Sequence, residues 1–126
     1  MTDPSFRLGI VEGFFGRQWS WSARKNMAGF LAAQHFNSYV YAPKNDVYFR
    51  KQWQVPCPDA HLLNLQDLSL HVRQLGLDFG IGLSPFEVYR DFSAANRLLL
   101  QNKIAQINEI APQTLCILFD DIETKP

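Results

Sequence analysis

The feature that most constrains the fold is a run of five apolar residues, Leu115 to Phe119, which leads directly into Asp120 and Asp121. A continuous apolar run of this length is typical of a strand that is buried on both faces, as in a parallel sheet. In α/β folds the carboxyl ends of such strands carry the functional groups. We therefore expect two neighbouring carboxyl groups on the functional edge of a sheet, where they can divide acid and anion roles between them.

Three earlier units of strand and helix precede this run. Strands are predicted at Phe6–Val11, Ser38–Ala42 and Asp78–Leu83. Each is followed by a helical pattern, and Ser20 or Ser22, Asp59 and Ser93 are the predicted N-caps. Gly76 and Pro112 are predicted to end the second and third helices. The predicted core positions of the three helices are Met27, Phe30 and Leu31; Leu65, Leu68, Val72 and Leu75; and Leu100, Ile104, Ile107 and Ala111.

This alternation predicts one α/β domain over residues 1–126, with four βα units and parallel strands. Right-handed crossovers would place all strand-to-helix loops on one edge, which collects Gly13, Lys44, Ser84 and the two aspartates. Four units correspond to the N-terminal half of a (β/α)₈ TIM barrel, which typically has about 250 residues. We therefore expect either a piece of a longer protein or self-association through the open edges of the first and fourth strands. An open four-stranded sheet is a third interpretation.

Composition narrows the class of partner. The 12 basic and 12 acidic residues cancel, so no global field would attract nucleic acid or an anionic membrane. Cys57 and Cys116 lie far apart and suggest neither a disulfide framework nor a metal site. Because we find no signal-peptide pattern and no apolar stretch of membrane-spanning length, we expect a cytoplasmic protein without cofactors.

Three motifs lie each at the end of a predicted strand: Val11–Trp19 (VEGFFGRQW), Tyr39–Asp46 (YVYAPKND) and Phe119–Ile122 (FDDI). Together they resemble the glycoside hydrolases of family 84, the O-GlcNAcases and bacterial β-N-acetylglucosaminidases. They occur in the family's order, and the resemblance runs from about Phe6 to Ile122. It implies a TIM-like barrel, of which this chain holds the N-terminal half, and hydrolysis of terminal N-acetylglucosamine from glycosides or glycoproteins.

Adjacent aspartates fit one glycosidase mechanism better than the others. Glycosidases usually place two carboxyl groups roughly 5 Å or 6.5–9.5 Å apart across the scissile bond, which neighbouring residues can hardly do. Substrate assistance, in which the sugar's own acetamido oxygen attacks the anomeric carbon, suits an adjacent pair. By resemblance, Asp120 stabilises the acetamido group and Asp121 is the general acid and base. We expect the isolated 126-residue chain to have little activity.

The resemblance also implies that the Lys44 side chain and the Gly13 carbonyl bind the sugar. The residues alone leave simpler interpretations open, namely an exposed lysine and an ordinary turn glycine. The aspartate pair could likewise cap a helix, face solvent or, with Glu123, bind Mg²⁺. A truncated, non-catalytic sugar-binding or assembly module is the alternative function.

Two residues depart from the family pattern, which commonly has tyrosine at the position of Phe15 and glycine at that of Phe86. Glu12 is expected to form a buried structural pair with Arg17 or Lys44. The remaining candidates are aromatic residues that could stack on a sugar, with no role assigned to any of them, and histidines expected to be surface or packing residues away from the functional edge. These are Phe14, Phe15, Trp19, Tyr48 and Trp53, and His35, His61 and His71.

Overall fold

The computed structural model describes residues 6–119, which contain a four-stranded parallel sheet with a helix between successive strands. The strands lie side by side in sequence order, and each pairs in parallel with the next. The predicted class of four βα units is confirmed. The strands are β1 (Gly9–Glu12), β2 (Ser38–Tyr41), β3 (Asp78–Leu83) and β4 (Thr114–Ile117); the helices are α1 (Trp21–Ala33), α2 (Asp59–Gln74) and α3 (Ala94–Ile110), with short 3₁₀ helices at Val47–Phe49 and Val88–Arg90.

The strand order determines where the helices lie. Because each strand is beside its sequence neighbour, right-handed crossovers place all three helices on the same face of the sheet. This is the arrangement of the first half of a (β/α)₈ barrel. The carboxyl ends of the strands meet at one edge, with Glu12 beside Tyr41 and Leu83 beside Ile117.

The core lies between the sheet and the helices. Alternate residues of the two central strands point toward the helices and are fully buried, as the period of two along a strand requires. Helical residues at intervals of three and four meet them from the other side. The buried set includes Tyr39, Tyr41, Phe79, Ile81 and Leu83 from the strands, with Ala28, Leu31, Leu65, Leu68, Val72 and Ile107 from the helices.

Two of the predicted helix caps are confirmed and one is wrong. The hydroxyl groups of Ser20 and Ser93 accept hydrogen bonds from the backbone N–H groups of Ala23 and Asn96. Asp59 is instead the first residue of α2, and Pro58 occupies the cap without a side-chain hydrogen bond. Proline suits this boundary because its fixed φ allows its carbonyl to accept the first bond of the helix, from Leu62 N–H.

Several predicted helix residues lie elsewhere than expected. Gly76 follows the end of α2 with φ +86°, so the predicted stop is confirmed. Phe30 is exposed because it lies at the margin of the apolar stripe of α1, and Leu75 is exposed because it is the C-cap, beyond the last residue of α2. Ala111 is not a core residue either; it caps α3 in the left-handed conformation and is exposed.

The strand predictions need two corrections. The first strand begins at Gly9 rather than Phe6. The prediction that Leu115–Phe119 is buried on both faces is wrong, since Ile117 is 41% exposed and Phe119 is 54% exposed. The physical reason is that β4 is an edge strand of the described sheet, and within residues 6–119 no helix follows it to cover its outer side.

Within the described part of the chain, no helix is long and apolar enough to cross a bilayer.

Candidate functional site

Three loops meet at the carboxyl edge of the sheet: a first rim loop (residues 13–20), a second rim loop (42–58) and a third rim loop (84–93). Gly13 opens the first and Lys44 lies near the start of the second. The backbone N–H of Ala42 donates to the Glu12 carbonyl at 3.0 Å, and that of Lys44 donates to the Phe14 carbonyl at 3.3 Å. The structure therefore brings the two predicted sugar-binding residues into neighbouring positions.

Side chains strengthen the connection between the first two rim loops. The Asn45 amide donates to the Gly16 carbonyl at 2.6 Å, and the Gln18 amide donates back to the Asn45 carbonyl at 3.1 Å. Gly16 adopts φ +97°, a left-handed conformation that favours glycine, and so turns the first rim loop toward Asn45. Backbone and side-chain bonds together fix the position of Lys44 relative to Gly13.

Gly13 does not need to be glycine for conformational reasons. Unlike Gly16, it is not among the residues with positive φ. A Cβ atom placed on it would meet Val11 Cγ1 at 3.5 Å and the Ala42 carbonyl oxygen at 3.8 Å, which are ordinary van der Waals distances. A small side chain would therefore fit at Gly13 without displacing its neighbours.

The Lys44 side chain is half-buried and packs on an aromatic ring. Its Nζ lies 5.5 Å from the centroid of the Phe15 ring, within the range of a cation–π contact. The Arg50 guanidinium carbon lies 5.3 Å from the same centroid. Two cations therefore share one phenyl ring at the predicted sugar-binding edge.

The third rim loop is attached to the second. The backbone N–H of Ser84 donates to the Phe49 carbonyl at 2.8 Å, and Trp53 Nε1 donates to the Phe86 carbonyl at 3.0 Å. Trp53 is fully buried, so it is a packing residue and cannot stack on a sugar. Among the aromatic candidates, Phe14 and Phe15 are exposed at this edge.

A buried carboxylate supports the second rim loop from below. Asp46 accepts hydrogen bonds from the Tyr41 hydroxyl and, at 3.2 Å, from Tyr48 N–H, and its Oδ2 lies 2.7 Å from His61 Nε2. Burial, together with the negative charge of Asp46, raises the pKa of Tyr41. As predicted, His61 packs against other side chains, among them Trp21. The prediction that it lies away from the functional edge is wrong, because it contacts Asp46, which supports the second rim loop.

A second buried carboxylate lies at the end of β1. The Arg24 guanidinium donates to both oxygens of Glu12 at 2.9–3.0 Å, and the Tyr39 hydroxyl donates to Glu12 Oε1 at 2.6 Å. The structural pairing of Glu12 is confirmed, but the expected partner, Arg17 or Lys44, is wrong. Arg24 reaches this buried carboxylate because it is itself buried in the first turn of α1, whereas Arg17 is exposed.

Asp120 and Asp121, and Glu123 of the alternative Mg²⁺ site, lie outside the described residues, so their roles stay predictions. The chain just before them is described: Leu118 N–H donates to the Leu83 carbonyl at 2.8 Å, which holds the end of β4 beside the end of β3. Within residues 6–119 no group of three or more histidine, cysteine, aspartate or glutamate side chains is arranged to hold a metal ion.

Comparison with known proteins decides the family. The sequence profile described as beta-N-acetylglucosaminidase matches residues 8–126. The chain belongs to this β-N-acetylglucosaminidase family. The protein O-GlcNAcases of Rattus norvegicus and Mus musculus are each 30% identical to it over 118 residues, which are 94% of this chain and 13% of theirs.

A solved structure agrees with this assignment. A mutant O-GlcNAc hydrolase from Thermobaculum terrenum is similar with a TM-score of 0.87 and 29% identity, over 95% of this chain and 26% of that one. The chain thus spans a minor part of the length of the β-N-acetylglucosaminidase-family relatives it matches.

Two residues of the rim were missed by sequence reasoning. Asp46 lies inside the second motif and no role was predicted for it, although an aspartate shortly after a strand is a common anchor for a turn. Arg50 gave no local signal, because its partners Phe15 and Phe86 lie more than 30 residues away on either side.

Proposed function

We propose that this β-N-acetylglucosaminidase-family chain supplies the first four βα units of a catalytic domain that hydrolyses terminal N-acetylglucosamine glycosides with retention. The observation that carries the proposal is the juxtaposition of Gly13 and Lys44 on neighbouring, hydrogen-bonded loops at the carboxyl edge. The strand that leads to Asp120 and Asp121 ends at the same edge, where Leu118 pairs with Leu83. Family membership over residues 8–126 supplies the reaction class.

In the proposed mechanism the substrate provides the nucleophile. The acetamido carbonyl oxygen attacks the anomeric carbon while the glycosidic C–O bond breaks, and the Asp121 carboxyl proton moves to the departing oxygen. Asp120 accepts a hydrogen bond from the acetamido N–H and stabilises the positive charge of the oxazoline-like intermediate. Water, deprotonated by Asp121, then opens the ring from the opposite side, so two inversions give retention.

The described residues would bind the sugar itself. The Gly13 carbonyl accepts a hydrogen bond from a sugar hydroxyl, and the Lys44 ammonium donates one. The hydrogen bonds between the first two rim loops hold these groups in place before the substrate arrives, which lowers the entropy cost of binding. Substrates would be N-acetylglucosamine-bearing glycosides or glycoproteins, and the proposed location is the cytoplasm.

Replacement of each aspartate in the full-length protein tests the proposal. Asp120→Asn and Asp121→Asn should each lower kcat for an aryl N-acetylglucosaminide by at least about 100-fold, the usual contribution of acid–base and charge stabilisation. Asp67→Asn, on the exposed surface of α2, is the matched control and should be silent. Unchanged rates in either site variant would contradict the proposal.

Fluorine substitution tests the internal nucleophile separately. Replacing the acetamido methyl hydrogens by one, two and three fluorine atoms makes the carbonyl oxygen progressively less nucleophilic, so kcat should fall stepwise. A rate that does not respond to fluorine would reject substrate assistance. Binding of N-acetylglucosamine without any turnover by the full-length protein would instead favour the non-catalytic sugar-binding module.

A further inference from the structure

The two residues that depart from the family pattern, Phe15 and Phe86, contact the same side chain. The Arg50 guanidinium carbon lies 5.3 Å from the Phe15 ring centroid and 5.3 Å from the Phe86 ring centroid. Phe15 belongs to the first rim loop, Arg50 to the second and Phe86 to the third. One guanidinium therefore bridges all three rim loops.

Arginine is chemically suited to this place. Its guanidinium is planar and more weakly hydrated than an ammonium group, so it can lie against aromatic faces at low desolvation cost. Arg50 is only 6% exposed, which excludes water from both aromatic contacts. Charge and shape both contribute, because a cation is attracted to the electron-rich faces of the two rings.

The bridge reaches the predicted sugar-binding lysine through Phe15. Lys44 Nζ lies over the same ring as Arg50, at 5.5 Å from its centroid. Phe15 itself is 59% exposed, and the contacts with Arg50 and Lys44 restrain its ring. Arg50 therefore contacts the same ring on which the Lys44 ammonium packs.

We propose that Arg50 is a positioning residue of the candidate active site: held between Phe15 and Phe86, it sets the spacing of the first and third rim loops and orients Lys44 toward the sugar. This inference rests on the proposed function. Arg50 acts through Phe15 and Lys44 and does not itself contact substrate. Phe86 contributes to the bridge because its phenyl ring is the second ring that contacts Arg50.

The first test asks whether the positive charge of Arg50, or its apolar volume, would by itself be enough to position Lys44. In the full-length protein, Arg50→Met should lower kcat/KM for an aryl N-acetylglucosaminide about 10- to 100-fold, the cost of displacing a binding group by about 1 Å. Most of the loss should be in KM, because Lys44 binds ground state and transition state alike. Arg50→Lys should not restore the activity, since an ammonium cannot lie flat against two rings.

A cycle of variants tests the bridge directly. Phe15→Leu and Phe86→Leu should be non-additive in kcat/KM by at least about threefold while Arg50 is present, and additive when Arg50 is methionine. Phe30→Leu, at a site 57% exposed on α1, and Arg73→Met, exposed on α2, are the matched controls and should leave kcat/KM unchanged.

The outcomes separate the two proposals. If the wild-type protein does not hydrolyse the substrate, the proposed function fails, and the bridge is then tested without turnover by NMR. In that measurement the side-chain protons of Arg50 should be shifted upfield by ring currents, and Phe15→Leu or Phe86→Leu should each remove part of the shift. If the wild type is active but Phe15 and Phe86 are additive with Arg50 present, or if Arg50→Lys restores wild-type KM, the positioning role is wrong.

Discussion

The Arg24 guanidinium and the Glu12 carboxylate form a fully buried, two-pronged ion pair, with side chains 3% and 0% exposed. Burial by itself lowers the pKa of Arg24, but the hydrogen bond to Glu12 and the neighbouring negative charge outweigh it and raise the pKa overall. Tyr39 donates a further hydrogen bond to the same carboxylate. The pair links the end of β1 to α1 directly beneath the first rim loop.

Removal of one partner of this pair should destabilise the protein strongly. Arg24→Met leaves the Glu12 carboxylate buried without its counter-charge, so the free energy of unfolding should fall by about 3–5 kcal/mol. Urea denaturation of both proteins measures the difference. The exposed ion pair of Lys25 with Asp67 is the control: Lys25→Met should change the free energy by less than about 1 kcal/mol. Similar decreases in the free energy of unfolding of Arg24→Met and Lys25→Met would show that the buried Glu12–Arg24 pair stabilises the protein no more than an exposed ion pair does.

The contrast between Arg24 and Asp59 shows what the sequence can predict. Arg24, Ala28 and Leu31 follow the i, i+4, i+7 spacing of a core-facing stripe, so an arginine in the stripe signals a buried acidic partner. A buried pairing was predicted for Glu12, but with Arg17 or Lys44 and not with Arg24, because the partner is set by tertiary packing. Asp59 shows the opposite error, because the local preference of aspartate for a cap is overridden by the preceding proline.

The strands show the same division between local and long-range causes. Strand β3 was predicted at its observed limits because its apolar run ends abruptly at Ser84 and Pro85. The burial of β4 was not predicted correctly, because an apolar run does not reveal whether other elements cover both of its faces. Likewise, the motifs predicted the neighbouring positions of Gly13 and Lys44, whereas the contacts of Arg50 depend on three separate loops.

Two buried tyrosines should make the fold sensitive to alkaline pH. Burial first, and then the hydrogen bond to Glu12 or the charge of Asp46, raises the pKa of Tyr39 and of Tyr41. The folded phenols keep their protons above about pH 10, where those of the unfolded chain ionise. The unfolded state then binds fewer protons, so the stabilisation is complete below about pH 10 and is lost as pH rises further.

Urea denaturation between about pH 10.5 and 11.5 measures this effect. The free energy of unfolding should fall by about 1.4 kcal/mol per pH unit for each tyrosine. In Tyr39→Phe the slope should be shallower by one tyrosine's share. A slope that is the same in the wild type and the variant would contradict the assignment.

The two cysteines should react at very different rates. Cys57 is buried near the end of the second rim loop, where burial, together with the charge of Asp46, raises the pKa of its thiol to about 12. At pH 8 its thiolate fraction is then roughly a thousand times smaller than that of an ordinary thiol, before any steric protection. Cys116 is only partly buried.

A chromogenic disulfide reagent at pH 8 should therefore modify one thiol quickly and the other only on unfolding. Cys116→Ser should remove the fast phase and Cys57→Ser the slow one. In the folded protein, the Gln106 side chain of α3 holds the Cys57 backbone by hydrogen bonds of 2.7 Å and 2.9 Å. Equal reaction rates in the two single-serine variants would show that Cys57 is accessible and that this end of the second rim loop does not stay packed on α3.

Asp46 should hold the second rim loop in its folded conformation. Asp46→Asn keeps the shape but loses the charge that strengthens the hydrogen bonds with Tyr41 and His61, so the free energy of unfolding should fall by about 1.5–3 kcal/mol. Lys44, the proposed sugar-binding residue, is two residues away, so the affinity of the full-length protein for N-acetylglucosamine should also fall severalfold if Lys44 binds the sugar as proposed. Calorimetric titration checks the affinity, with the exposed Asp59→Asn as control. Wild-type affinity in Asp46→Asn would mean that Lys44 is held by other contacts.

The isolated 126-residue chain should associate with itself through its sheet edges. Strands β1 and β4 are the edges of the described sheet, and each presents unpaired backbone groups beside an exposed apolar side chain, Val11 or Ile117. Light scattering should give a mass that rises with protein concentration. Ile117→Lys should shift the association to higher concentration because a charged edge resists pairing, whereas Phe30→Lys on the outer face of α1 should not. A constant monomer mass for the wild-type chain would show that its edges are protected by some other means.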